Sequence, residues 1–318
     1  MSTWGEQLEE LRSVWTSEDG TVDLDGMRRS YVVALHEYTK RNVVVYYSGW
    51  MQTSAGDVSI VLNDIHGLME VFKDLKPENG LDLILHSPGG DPTAADSLVR
   101  YMRSKFDDVR VIVPVAAMSA ATMWALSADR ILMGRQSQLG PIDPQIVNAN
   151  GATAAGAITR TFERAQEECA QDPSRLSAWV PTLQQYYPGL LEICEDSTNL
   201  ARTLAENYLR DNMFRDRDSG ADLARVAAEF FANDQIHIAH GRGIGRAQVR
   251  EYGLVVEDLE DDGELQDRVL SLHHAYMHTL SIANATKLIE NHLGRLVVRM
   301  TPPPVAFVPG GTIPFSQP

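Results

Sequence analysis

Two strand-to-loop transitions constrain this chain more than any other part of its sequence. Residues 83–91 (Leu-Ile-Leu-His-Ser-Pro-Gly-Gly-Asp) are an apolar strand that breaks on a Pro-Gly-Gly turn. Residues 109–115 are a second apolar strand, which leads into the small residues Ala-Ala-Met-Ser-Ala-Ala-Thr at 116–122. Loops at the ends of strands are where α/β folds place their chemistry. The two loops therefore predict an α/β fold that presents backbone donors and a serine nucleophile.

Gly89, Gly90 and Ser119 suit an acyl-transfer site. Two successive glycines allow backbone angles that a side chain forbids, so their N–H groups can turn toward a bound carbonyl oxygen. Ser119 stands at the start of a predicted helix, 118–126, where unpaired N–H groups and the helix dipole favour negative charge. The amide of Ala120 is then a second donor. The alternative for Ser119 is the commoner role of a helix N-cap.

Three motifs in register carry a family resemblance: SPGG at 87–90, AAMSAAT at 116–122 and LGPIDPQ at 139–145. Together they resemble the Clp/crotonase superfamily and, within it, the serine dehydrogenase proteinase family, which is related to signal peptide peptidase A. The resemblance covers residues 40–150, and weaker signatures follow in the C-terminal half.

The resemblance implies a Clp/crotonase-like spiral of strand-helix repeats and an ATP-independent serine peptidase. It implies that Ser119 is the nucleophile, while Gly89, Gly90 and Ala120 form the oxyanion hole. Relatives oligomerise through helices that follow the core, so the mainly helical C-terminal half is expected to form the contacts of a homo-oligomer. The expected substrate is a peptide or protein.

Composition excludes several classes of protein. The 318 residues include 28 basic and 43 acidic side chains, a net charge of −15, which disfavours binding to nucleic acid or to an anionic membrane surface. The two cysteines, Cys169 and Cys194, are too few for a disulfide framework or a thiolate metal site. No secretory signal or membrane-spanning segment is recognisable. We therefore expect a cytoplasmic protein without a cofactor.

Strand and helix patterns alternate through the first half of the chain and give way to helices after residue 150. Such alternation implies parallel strands joined by right-handed crossovers. Asn63 is predicted to cap a helix, another helix is predicted over 183–213, and a single long helix is predicted over 265–293. We expect a protease core with N-terminal helices, a helical extension and a Pro/Gly-rich tail, with the respective bounds 1–215, 216–300 and 301–318.

The base that would activate Ser119 is not evident. The position where Clp-type peptidases carry their histidine corresponds here to Pro144, beside Asp143. Signal peptide peptidase relatives use a lysine, but no lysine occurs between Ser119 and Thr286, and Arg160 cannot deprotonate.

Four substitutes for the base remain open. His240 and His237, on a glycine-bearing polar segment, come first, because histidine has a suitable intrinsic pKa. His86, at the end of the strand before the double glycine, and Lys287, on the predicted long helix, follow. We select His240, and each histidine has the alternative of a purely structural role.

Three histidines on the predicted long helix raise the possibility of a metal site. His274 and His278 have the spacing that places two side chains on one helix face, and His273 is adjacent. However, the segment has no HExxH motif and no cysteine nearby. We favour polar histidines at an oligomer contact and expect no metal.

Two classes of function therefore compete. The first is a serine peptidase in which Ser119 forms an acyl-enzyme. The second is a noncatalytic scaffold or peptide-binding oligomer of the same fold, which the missing base would explain. A crotonase-like acyl-CoA enzyme would use the same oxyanion hole, but the sequence shows no sign of coenzyme A binding.

Overall fold

The structure is a computed structural model that describes residues 3–53, 57–148 and 151–301. The strands are β1 Asn42–Ser48, β2 Leu81–His86, β3 Val109–Val113, β4 Ala116–Ala117, β5 Arg130–Met133, β6 Gln138–Leu139, β7 Gln145–Asn148, β8 Gly151–Ala154, β9 Ile244–Gly245, β10 Val256–Asp258, β11 Ala285–Asn291 and β12 Leu296–Met300. The helices are α1 Trp4–Val14, α2 Leu24–Thr39, α3 Asp64–Val71, α4 Pro92–Arg103, α5 Ala120–Leu126, α6 Ala155–Gln171, α7 Leu176–Leu183, α8 Leu190–Tyr208, α9 Gly220–Ala232, α10 Asp234–His237, α11 Arg246–Glu251 and α12 Gly263–Ile282.

A seven-stranded sheet with the order β10-β5-β3-β2-β1-β11-β12 forms the centre of the molecule. The five strands from β10 to β1 run parallel, as the strand-helix alternation predicts. β11 and β12 add to the edge at β1 as antiparallel strands, so the sheet is mixed. A second sheet, β4-β6-β9, stands beside the ends of the parallel strands.

Apolar side chains are buried on both faces of the large sheet. On β1, Val44 and Tyr46 contribute to one apolar cluster, which α3, α4, α5, α8 and α9 cover. Val45 and Tyr47 point the other way and pack with α2 and α12. This alternation follows the two-residue period of a strand. Since both faces are covered, the strands consist of nearly continuous apolar residues.

The predicted helix over 265–293 is wrong beyond Ile282. α12 ends there, Asn284 adopts a left-handed backbone angle (φ 51°), and the chain returns through the sheet as β11. Lys287 and Glu290 on β11 are both buried in ion pairs. Because a buried strand ordinarily lacks charged residues, these two charges explain why the sequence does not indicate a strand here.

Two further local predictions differ from the structure. Asn63 precedes α3, but its backbone is already helical (φ −62°, ψ −15°) and its side chain makes no capping hydrogen bond. Asp64 Oδ2 instead accepts a hydrogen bond from the amide of Val61. The helix predicted over 183–213 begins only at Leu190, because α7 ends at Leu183 and Gly189, with a φ of 83°, precedes α8.

The helical C-terminal half packs onto the core rather than standing apart from it. Leu209 and Phe231, on either side of the predicted boundary at residue 215, belong to the same apolar cluster as β2 and β3. The three-part division therefore stays a prediction, and from residue 302 onward the tail lies outside the described residues. Within the described ranges, no helix is long and apolar enough to cross a membrane.

Candidate active site

The two loops that the sequence singles out lie side by side. Ser87, just after β2, forms a bridge with Ala117 of β4. Its amide donates to Ala116 O (3.2 Å), and its carbonyl accepts from the amide of Met118 (3.0 Å). These bonds hold the Pro-Gly-Gly turn against the segment that begins α5.

Ser119 has a strained backbone. Its φ of 51° and ψ of −120° lie in a region that L-residues rarely adopt and that costs about 1–3 kcal/mol. Although Ser119 holds the N-cap position of α5, its side chain makes no capping hydrogen bond. Ser119 therefore occupies the N-cap position considered from the sequence, but its hydroxyl group makes no capping hydrogen bond and remains available for other contacts.

Gly89 and Gly90 both have positive φ, 95° and 153°. A Cβ atom on Gly89 would lie 2.7 Å from the Cβ of Ser119 and 2.8 Å from the amide nitrogen of Ala120, so only glycine fits against the serine turn. The Gly89 amide donates to Ser87 Oγ (3.2 Å). The amides of Gly90 and Ala120 have no acceptor within the described part of the chain. Of the three amides expected to form the oxyanion hole, those of Gly90 and Ala120 thus make no hydrogen bond to the described residues.

His240 comes to this site through the second sheet. β6 pairs with β4, which leads into Ser119, and also with β9, which follows His240. The amide of Ile142 also donates to Phe231 O (2.8 Å), which ties the 139–145 loop to the end of α9. Contacts between segments far apart in sequence therefore determine where His240 lies.

His240 and Asp143 form a hydrogen-bonded pair. His240 Nδ1 lies 2.8 Å from Asp143 Oδ1, and the other carboxylate oxygen accepts from Gln145 Nε2 at 2.7 Å. The Asp143 side chain is 5% exposed and that of His240 is 29% exposed. A carboxylate acceptor at Nδ1 makes this nitrogen the donor, which leaves Nε2 with its lone pair.

Ser119, His240, Gly89, Gly90 and Ala120 line one cleft of about 610 Å³. Its walls are mainly apolar, and they are formed by residues that include Ile60, Met123, Ile142, Ile146, Leu200 and Ala201. The cleft thus places a hydroxyl group, an imidazole and unoccupied amides around a space that can hold a short stretch of peptide.

The other three candidates for the base are engaged or buried elsewhere. His237 is buried, and its Nε2 contacts Phe230 O at 2.7 Å. His86 lies among Tyr47, Trp50 and His273 on the α12 side of the sheet, where burial lowers its pKa to about 4.

Lys287 was expected on a helix, but it lies on β11 in a buried ion pair with Asp64 (2.8 Å). Arg160 forms a bidentate pair with Asp234 at 2.8 and 3.0 Å. His240 is therefore the only one of the four proposed bases that lines the cleft.

Two of the three histidines of α12, His273 and His278, are buried within the chain. His273 contacts the hydroxyl group of Tyr47 (2.9 Å), and the ring of His278 packs against that of Trp4 of α1 at an angle of 39°, with ring centroids 3.9 Å apart. Since His273 and His278 are buried by the chain itself, the expectation of an oligomer contact at these two residues is wrong. The described residues contain no group of three metal-ligating side chains.

Residues 59–182 match the family described as ClpP-like SDH-type serine proteinases. This match confirms the resemblance inferred from the motifs and, with the parallel strand-helix core, the Clp/crotonase-like fold class. The matched segment contains Ser119, both glycines and Asp143, but not His240.

Two uncharacterized proteins of Methanocaldococcus jannaschii are similar to the chain. One is 27% identical over 170 residues, which are 54% of this chain and 53% of the relative. The other is 30% identical over 109 residues, which are 34% of this chain and 37% of the relative. The aligned part of the chain thus spans about half or less of these relatives.

Two solved structures of a membrane-bound stomatin-specific protease also resemble the chain. One carries a serine-to-alanine change, and the other carries a lysine-to-alanine change and is in complex with a substrate peptide. Both cover 66% of this chain at 17% identity, and they are covered over 79% and 75% of their own lengths. Their TM-scores are 0.38 and 0.37.

The sequence alone does not indicate that Asp143 bonds to His240. Asp143 lies in the Gly-Pro-Ile-Asp-Pro loop that the motifs had singled out, next to the position where a histidine was expected. The signal was therefore present, but its histidine partner lies in a segment 97 residues away, and only the fold brings the two together.

Proposed function

We propose that the chain is an ATP-independent serine peptidase whose Ser119, His240 and Asp143 act as nucleophile, general base and orienting carboxylate. The observation that carries this proposal is the bond between His240 and Asp143, which leaves Nε2 of His240 unpaired in the cleft that Ser119 also lines. The family match over residues 59–182 supports the reaction class.

The proposed reaction has two halves. Ser119 Oγ attacks the peptide carbonyl carbon while Nε2 of His240 takes the hydroxyl proton, and the carbonyl electrons move onto its oxygen. His240 then gives the proton to the leaving amine as the C–N bond breaks, which leaves an acyl-enzyme. Water attacks this ester with the same histidine as base, releases the acid and returns the proton to Ser119.

The unoccupied amides support an oxyanion hole. The donors at Gly90 and Ala120 flank the serine turn, and a preorganised amide donor is worth about a hundred- to a thousandfold in turnover. Gly89 belongs to the same proposal because its missing side chain lets the turn approach Ser119. Asp143 contributes by holding the imidazole in one tautomer and by stabilising its positive charge.

Fluorophosphonate labelling followed by peptide mapping tests the proposal without knowledge of the substrate. We expect the label on Ser119 and a large loss of labelling rate in His240→Gln. Ser197→Ala is the matched serine control, because Ser197 lines the same cleft. His66→Gln, on the exposed surface of α3, is the histidine control. Labelling at another residue, or parental casein hydrolysis by Ser119→Ala, would show that Ser119 is not the nucleophile. Absence of both labelling and hydrolysis in the parental protein would favour the noncatalytic scaffold.

The remaining expectations belong to the same proposal: a cytoplasmic homo-oligomer that acts on peptides or proteins. Helix α7 supports the assembly, because its sequence LSAWVPTL is mainly apolar and none of its side chains is buried within the chain. Size-exclusion chromatography with light scattering tests the assembly. We expect Leu176→Glu, at an exposed position of this helix, to shift the oligomer toward the monomer.

A further inference from the structure

The double-glycine turn rests against a short segment, residues 59–61, that runs along the cleft. Ile60 N donates to Gly89 O (2.7 Å), and Asp91 N donates to Ile60 O (3.0 Å). A Cβ atom on Gly90 would lie 2.4 Å from both the nitrogen and the oxygen of Ile60. The backbone of Ile60 therefore determines where the Gly90 amide lies.

A buried ion pair holds this segment from the other side. Lys287 Nζ donates to Ser59 O (2.7 Å) and to both oxygens of Asp64 (2.9 and 2.8 Å). Asp64 Oδ2 also accepts from the amide of Val61 at 3.1 Å. The side chains of Lys287 and Asp64 are both 0% exposed. The two backbone groups that flank Ile60 are thus each fixed by one member of the pair.

Tyr46 completes the set of contacts around Asp64. Its hydroxyl group donates to Asp64 Oδ2 at 2.7 Å. Burial, followed by the Asp64 carboxylate, raises the pKa of Tyr46 well above its ordinary value, so the phenol keeps its proton. Asp57, at the surface, lies 3.8 Å from Lys287 Nζ.

A buried ion pair is often no more stable than apolar residues of the same volume. We propose that Lys287 and Asp64 are positioning residues, which hold residues 59–61 in place and thereby fix the Gly90 amide for the oxyanion of the reaction. The catalytic part of this inference rests on the proposed function. The anchoring of the turn does not.

The chain offers a matched control for this pair. Arg28 and Glu290 form a second buried ion pair (3.1 Å), in which Glu290 lies on the same strand as Lys287. The partners of Glu290 lie on α2 and α12, and the hydroxyl group of Tyr276 on α12 also donates to Glu290 (2.7 Å). Glu290 therefore faces the side of the sheet away from residues 59–61, and loss of Arg28 leaves a comparable unpaired carboxylate.

The experiment compares Lys287→Met with Arg28→Met by hydrogen exchange and by kinetics. We expect Lys287→Met to speed exchange in peptides that cover 57–61 and 88–92, while Arg28→Met leaves them at the parental rate. We expect turnover to fall about ten- to a hundredfold with KM within about twofold, since an oxyanion donor acts mainly in the transition state. Arg28→Met should keep parental turnover well below its melting temperature.

A double variant covers the case in which Lys287→Met does not fold. Lys287→Gln with Asp64→Asn keeps a donor for Ser59 and an acceptor for Val61 without an unpaired charge, so it should keep slow exchange and most of the turnover. Unchanged exchange at 88–92 in Lys287→Met, or equal effects of Lys287→Met and Arg28→Met, would overturn the inference. If exchange responds but the parental protein hydrolyses no peptide, the anchoring stands and the peptidase proposal fails.

Discussion

Asp143→Asn is the change that most directly probes the proposed charge arrangement. The Asp143 carboxylate contacts His240 Nδ1 at 2.8 Å and is almost fully buried. During attack by Ser119 the imidazole becomes positively charged, and the carboxylate stabilises this charge. Asparagine has the same shape but no charge, and its amide group can turn toward Nδ1 and favour the wrong tautomer.

The size of the effect follows from the geometry. With nearest atoms at 2.8 Å, the two charge centres are about 4 Å apart, and at an effective dielectric constant of about 20 they attract by about 4 kcal/mol. The exposed edge of His240 and the dipole of the new amide reduce this to about 2–4 kcal/mol. Turnover should therefore fall about thirty- to a thousandfold, at about 1.4 kcal/mol per tenfold.

The assay measures kcat and KM with a fluorogenic peptide, together with the rate of fluorophosphonate labelling. Both kcat and the labelling rate should fall, while KM stays within about threefold. Asp96→Asn is the control, because Asp96 accepts a 2.8 Å bond from the Tyr208 hydroxyl group but does not line the cleft. Parental turnover in Asp143→Asn would show that His240 acts without Asp143 or is not the base.

Three further predictions concern the same region. Ser119→Gly should abolish activity yet be more stable than Ser119→Ala by about 1 kcal/mol, because glycine tolerates the backbone angles of that turn (φ 51°). Thermal unfolding measures the difference, and equal melting temperatures would show that the turn is not strained. Gly89→Ala should lower turnover about a hundredfold, since its Cβ would lie 2.5 Å from Met118 O and displace the serine turn; steady-state kinetics checks this, and parental turnover would contradict it. His86→Phe should leave the labelling rate unchanged and weaken the loss of stability in acid. The pKa of His86 is about 4 in the folded protein and about 6.5 in the unfolded chain. Its contribution to the free energy of unfolding is therefore constant above pH about 6.5 and falls by up to about 1.4 kcal/mol per pH unit toward pH 4. Denaturant unfolding of parent and variant at several pH values measures this, and identical dependence of their stability on pH would contradict it.

The sequence predicts the strand-helix core and the serine turn because their signals are local. Apolar strands that end on Pro-Gly-Gly and on Ala-Met-Ser are recognisable within a few residues, and the structure has them at β2, β4 and the start of α5. β11 was missed for a physical reason. Its two charges are satisfied by Asp64 and Arg28, which are 223 and 262 residues away in the chain, and a local pattern cannot show such partners.

The choice among the four candidate bases illustrates the same limit of local sequence patterns. From the sequence, His240 was one of four candidates, since a histidine, a lysine and their spacing say nothing about which side chains share a cleft. The structure separates the four by burial and partners. His86 and His237 are enclosed by other side chains, Lys287 is paired with Asp64, and His240 remains in the cleft.

Backbone strain gives an independent reason to group Ser119 with His240. Among the residues that the structure describes, five other than glycine have positive φ. Lys40 and Asn284 lie where long helices end, a position that commonly has this conformation. Asp74 lies in the turn after α3, and aspartate is one of the residues that tolerate it. Ser119 does not fit the helix-end explanation, because it begins a helix.

Ile238 is the least expected of the five, since a β-branched side chain disfavours its φ of 70°, and it lies two residues before His240. Strain of this kind persists only where surrounding contacts impose it, here the buried His237 before Ile238 and the Asp143 bond after it. Within the described chain, strain thus occurs at the proposed nucleophile and beside the proposed base, which is where a fold that holds both groups in place for catalysis would have it.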